Sequence, residues 1–164
     1  MSTTIEKLLR IYEHFKELSN RTLQVYMGTK TLLDIIREAK SNEEILDNAK
    51  SYTEFLDRVL RYAHYVSVEV SDLLYKYKPK KIDKKTVAVI NLLDRVNCLA
   101  NITIVGITTA LVFLTKEYFE NMPLSTIERQ LEHLQGIFSK CNEDMIFFET
   151  IEWKVFAKIL GINI

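Results

Sequence analysis

Turn-forming residues are scarce in this chain. Four glycines and two prolines occur in 164 residues, too few for a fold of many short strands joined by tight turns. Gly28, Gly106, Gly136 and Gly161 stand far apart, so no glycine-rich backbone can wrap a phosphate, which excludes a P-loop and a dinucleotide-binding turn. No Gly-x-Ser-x-Gly elbow is present. Net charge is also missing: 22 Lys and Arg balance 22 Asp and Glu. A protein that coats itself in nucleic acid would need a large positive excess. Histidine is limited to His14, His64 and His133, none with Glu three residues before it. That excludes the paired Glu-x-x-His set of a di-iron bundle. With no haem-attachment motif either, no metal and no cofactor is expected. Cys98 and Cys141 are the only cysteines. Two isolated thiols in a domain of this size fit a reducing compartment and small apolar core residues rather than a disulfide framework.

What remains is apolar and charged in globular proportion, 48% and 27% of residues. A single domain of 19.2 kDa should bury roughly 70% of the surface its unfolded chain exposes. The start, Met1 to Lys7, lacks the basic and then apolar stretch of a signal peptide, so the expected location is the cytoplasm.

Helical periodicity organises the whole chain. A first block, about residues 4–39, carries Ile5, Leu8, Tyr12, Phe15, Leu18, Val25, Leu32 and Ile36 at helical spacing, with Gly28 as a candidate bend. Ser41 and Glu44 form a capping box that opens the next. In this second block, 42–77, the residues Ile45, Ala49, Tyr52, Leu56, Val59, Ala63, Val66, Val70, Leu73 and Tyr77 alternate spacings of 4 and 3. That alternation keeps one apolar seam facing a neighbour along the entire helix. Pro79 ends it. Asp83 caps a third helix, about 84–119. A second capping box at Ser125 and Glu128 opens a fourth block, expected to break at Lys140-Cys141-Asn142 into helices 126–139 and 143–160, with Gly161 as a C-terminal cap. Three long helices and a broken fourth, joined by short connections, predict an all-α fold. The expected arrangement is a long antiparallel, up-down-up-down four-helix bundle with five helices in total.

The third helix holds 20 uncharged residues, Val96 to Thr115, the length a membrane span requires. Asn97, Asn101 and four threonines inside it are costly in hydrocarbon. A buried central helix is therefore expected, with Asn97 and Asn101 as buried amides that set register between neighbouring helices.

Four other groups are candidates for function. The first is the loop of Tyr75, Lys76, Tyr77, Lys78, Lys80, Lys81, Lys84 and Lys85; from Lys78 to Lys85 five lysines face one aspartate. Interleaved tyrosines and lysines can stack bases and hold phosphates of a single strand, or hold another anionic surface. The second is Arg58-Val59-Leu60-Arg61-Tyr62-Ala63-His64, whose spacing resembles the Arg-x4–6-His element of HEPN-type ribonucleases, which are also small helical bundles. The resemblance implies metal-independent RNA cleavage at a dimer interface, His64 acting in acid–base chemistry and Arg58 stabilising phosphate charge. The motif sits mid-helix, however, and on an ideal helix the two side chains point about 120° apart. They converge only if a second chain helps. The third is the last helix, where Phe147, Phe148, Trp153 and Phe156 supply more apolar surface than one core-facing stripe needs, as a self-complementary dimer patch would. The fourth is the apolar seam itself. The expected function is accordingly a non-catalytic scaffold that binds itself or a protein partner. A nucleic-acid-binding accessory subunit using residues 75–85, and the Arg58/His64 ribonuclease, are the alternatives.

Overall fold

The computed structural model describes residues 2–38 and 41–163, and all their regular structure is helical. The helices are α1 (Ser2–Glu38), α2 (Asn42–Lys76), α3 (Lys84–Phe113), α4 (Lys116–Asn121), α5 (Leu124–Phe147) and α6 (Trp153–Leu160). A π-helical turn, Phe148–Glu152, joins α5 to α6 without a break.

Local chemistry explains most of the boundaries. Ser41 caps α2 by accepting the Glu44 backbone N–H at 3.3 Å, and every seam residue from Ile45 to Leu73 is buried. Asp83 caps α3 through the Thr86 N–H at 2.9 Å. Gly161 ends α6 in the left-handed conformation, φ 72°, which a residue without Cβ adopts at no steric cost. The expected end of the first helix at Ala39 lies outside the described residues. α1 runs through Gly28 without interruption.

Three expected boundaries are corrected. The third helix ends at Phe113 rather than residue 119, because Thr115 leaves the helix (φ −68°, ψ 145°) and its hydroxyl caps the separate helix α4 at the Tyr118 N–H. The local hydroxyl bond competes with helix continuation. The fourth block begins at Leu124, not 126, with Pro123 ahead of it and no side-chain cap; Ser125 lies inside the first turn and Glu128 binds Arg37 instead. Finally, residues 140–142 are helical. Cys141 is buried and its Sγ lies 3.2 Å from the Thr103 hydroxyl, so this turn belongs to the core.

The irregularity falls two turns later, at Phe148–Glu152, and has a countable cause. Inward-facing residues follow one another at Cys141, Met145, Phe148, Trp153, Ala157 and Leu160. The step from Phe148 to Trp153 is five residues, one more than an α-turn accommodates. The backbone widens to meet it: the Trp153 N–H bonds to the Phe148 carbonyl, the five-residue hydrogen bond of a π-turn. Both aromatic rings then point inward. Trp153 stacks on Tyr12 at 4.0 Å, and Phe148 meets Phe15 edge-on at 4.7 Å.

Core packing joins α1 to α2 and α5, and α3 to α2, α5 and α6. Two glycines lie directly against aromatic rings of a neighbouring helix. A Cβ at Gly28 would come within 2.7 Å of the Tyr52 ring, and one at Gly106 within 2.9 Å of the Phe138 ring. Tyr52 is anchored where it lies, its hydroxyl bonded to the Val25 carbonyl at 3.0 Å and to the Thr29 hydroxyl.

Candidate interaction surfaces

The basic run between α2 and α3 divides. Lys76 is tied to Asp72 at 3.0 Å, one turn earlier on α2. The Lys78 ammonium sits 5.5 Å over the ring of Tyr75, which is 79% exposed. Tyr77 packs against the core, while Lys84 and Lys85 stand exposed on the first turn of α3. The remaining lysines turn towards the start of α1. There a cavity of about 440 Å³ opens, lined by Lys7 together with Lys76, Lys78, Lys80 and Lys81. Lys7 lies some seventy residues from the loop in sequence, and no local pattern marked it as a partner. Asp83, at the rim, is held below the usual carboxylate range, chiefly by the Thr86 backbone N–H.

Arg58 and His64 are both exposed, and no hydrogen bond or ion pair joins them among the described residues. The Arg58 guanidinium lies 5.9 Å from the centre of the Phe55 ring instead. Another histidine has a carboxylate partner: His14 Nδ1 lies 3.0 Å from Glu69 Oε1, across α1 and α2. Among the described residues no three His, Cys, Asp or Glu side chains gather as metal ligands do.

Asn97 and Asn101 share one contact, the Ser67 hydroxyl of α2, at 3.0 and 3.3 Å. They are not the buried pair expected: Asn97 is half-buried and Asn101 is exposed. The α2–α3 seam closes beneath them on aliphatic side chains, leaving the amides at its rim. The last helix is corrected in the same way. Phe148 and Trp153 are consumed by the chain's own core and present no surface. Phe156 is half-buried, whereas Phe147 stands exposed in a stripe with Ile151 and Val155.

The broadest apolar exposure lies on α3, where burial was expected. Val87, Ile90, Ile102, Val105 and Val112 are all exposed, Val105 by 65%. Cys98, expected in the core with Cys141, lies exposed along the same helix, as does Thr108. From Val96 to the end of α3 there is no charged residue. Beside this stretch, α3 and α5 enclose an open groove of about 400 Å³. Val105, Gly106 and Phe113 line one wall, and Leu134 and Ile137 the other. Of the described helices, α3 is the one long and apolar enough to cross a membrane, by length and composition, with a mean hydropathy of 1.8 over its most apolar stretch. Only 39% of that stretch is buried within the chain.

Near the middle of α3, Arg95 is fixed by Glu152 of the π-turn at 3.0 Å. The same turn presents Glu149 to α1, where its carboxylate accepts from the Ser19 hydroxyl at 2.9 Å and its carbonyl from the Tyr12 hydroxyl at 3.2 Å. These polar groups are paired within the chain and hold helices together. No protein-family model, curated protein or solved structure matches this chain.

Proposed function

We propose that this chain is an antiparallel four-helix bundle serving as a non-catalytic scaffold, and that it associates with a second copy of itself through the outer face of α3 and the groove beside it. The antiparallel arrangement is supported by cross-helix pairs whose numbers run in opposite directions. His14 pairs with Glu69 and Arg21 lies over Tyr62, while Gly28 approaches Tyr52. Tyr12 meets Trp153 and Ser19 meets Glu149, while Arg37 meets Glu128. Arg95, Thr103 and Gly106 face Glu152, Cys141 and Phe138 in turn.

The observation that carries the self-association is the exposed face of α3 beyond Val96, which carries Ile102, Val105 and Val112 and no charged residue. Exposed apolar side chains gathered on one helix face beside a groove mark an interaction surface more often than scattered ones do. A strip without charge offers nothing to a partner recognised by ion pairing. A two-fold related copy supplies an identical uncharged strip, and burying both removes apolar surface from water on each side. The Phe147, Ile151 and Val155 stripe would extend such an assembly.

Absolute mass in detergent-free buffer tests this. A species of twice 19.2 kDa is expected, with Val105→Glu returning it to monomer at unchanged helicity, because Val105 faces solvent within one chain. A wild-type monomer, or a Val105→Glu dimer, overturns the reading. Solubility only in detergent would assign the same face to a bilayer.

A further inference from the structure

We propose that the cavity between the start of α1 and the α2–α3 loop is a binding site for a small anion carrying a chain of phosphate groups. Five lysines line it, four from residues 76–81 and Lys7 from α1. The molecule as a whole has no net charge, so this end concentrates positive charge that the rest of the chain balances elsewhere. Lys7 and Lys80 have no carboxylate within salt-bridge distance among the described residues, so their donors are open to a ligand.

The single carboxylate lining the cavity does not cancel this. Asp83 Oδ1 accepts from the Thr86 N–H and hydroxyl, both at 2.9 Å, and its Oδ2 faces Lys81 at 3.9 Å. Its charge is spent on capping α3 and on one lysine. Thr4 and Thr86 also line it, the Thr86 hydroxyl being engaged with Asp83 and the Lys81 carbonyl.

The choice of ligand follows from what the site contains. Ammonium groups on flexible stems bind phosphate as point charges, without the planar fork that selects a carboxylate. Ammonium groups this close to solvent hold a single anion weakly, because water and salt screen each pair. A chain of phosphates engages several at once. A nucleic-acid strand would need open aromatic faces in succession. Tyr77 packs on the core and Tyr75 already lies beneath Lys78, so a short phosphate chain fits better than a strand.

Calorimetric titration with tripolyphosphate at low ionic strength tests the assignment. Saturable binding to one site per chain is expected, weakened roughly tenfold by Lys7→Ser and by Lys80→Ser, the loss of about one charge-assisted contact each. Lys30→Ser, on an exposed position of α1 outside the cavity, should bind as wild type, and far-UV circular dichroism should match for all variants. A nucleoside triphosphate binding equally well would place recognition in the phosphate chain alone; tighter binding would add the nucleoside. The assignment fails if sulfate at equal ionic strength binds as well, or if Lys7→Ser has no effect. It fails equally if a single-stranded oligonucleotide displaces tripolyphosphate and loses affinity on Tyr75→Ala, which would make the loop a strand-binding surface.

Discussion

Glycine substitutions separate two effects at single residues. In a helix interior, Gly→Ala ordinarily stabilises by about 0.5–1 kcal/mol because the unfolded backbone loses freedom. A Cβ at Gly136 would meet nothing within 4 Å, so Gly136→Ala should raise the unfolding midpoint in urea. Gly28 and Gly106 face the Tyr52 and Phe138 rings at 2.7 and 2.9 Å, and overpacking of that kind costs about 1–3 kcal/mol. Gly28→Ala and Gly106→Ala should therefore lower the midpoint despite the better helix former. Three midpoints of the same sign would refute the packing. Tyr52 adds a pH dependence. Burial pushes its phenol well above the ordinary value of 10.0, with the Thr29 hydrogen bond opposing in part. A raised folded-state value means the stabilisation is complete below the unfolded value and is lost as pH rises past it. Stability should fall above about pH 10, where an unfolded tyrosine ionises, and Tyr52→Phe should flatten that decline. An unchanged alkaline slope would show the ring to be solvated.

At the scale of elements, the π-turn carries the most specific expectation. Its extra residue reconciles two runs of inward-facing positions, one ending at Phe148 and one beginning at Trp153. Deleting the exposed Thr150 would shorten that step to four and let α5 and α6 join as one regular α-helix. The deleted protein should fold with its aromatic core intact. Deleting the exposed Glu143 instead would rotate Met145 and Phe148 off the core face and should abolish cooperative unfolding. Equal behaviour of the two deletions, read by circular dichroism and urea titration, would show that the widened turn does not set the register. The sequence already held this signal. The 3-and-4 alternation passes smoothly through Cys141 and fails only between Phe148 and Trp153. Lys140 and Asn142, the polar residues on either side of Cys141, drew the expected break to the wrong turn because composition there outweighed periodicity.

For the whole molecule, two surfaces of different physics predict opposite responses to salt. Association through an uncharged α3 face should persist at high sodium chloride and strengthen in sulfate, which favours burial of apolar surface. Phosphate binding by solvent-near lysines should weaken steeply over the same range. If salt dissolved the dimer, the contact would have to be sought among charged groups rather than at Val105. The two surfaces also differ in how far they could be read beforehand. The lysine loop is contiguous, so its charge is visible in sequence, but Lys7 joins it only because α1 starts beside the α2–α3 loop. The α3 face was legible as an uncharged run, yet a run without charge looks the same whether it is buried, exposed or in lipid.

Helix and fold class were decided by the sequence alone, since few glycines and prolines, capping residues and a period near 3.5 act locally and each residue contributes independently of distant neighbours. The seam of α2 emerged residue for residue from Ile45 to Leu73 for that reason, while Tyr77, expected as its last member, lies just past the helix end and is half-buried. Tertiary structure decided how much apolar surface the core could use. Phe148 and Trp153, expected at an interface, are drawn inside by the π-turn. The α3 strip, expected inside, is left out because α2, α5 and α6 cover only part of its circumference. Burial is a property of what packs against a side chain, and no local pattern contains that.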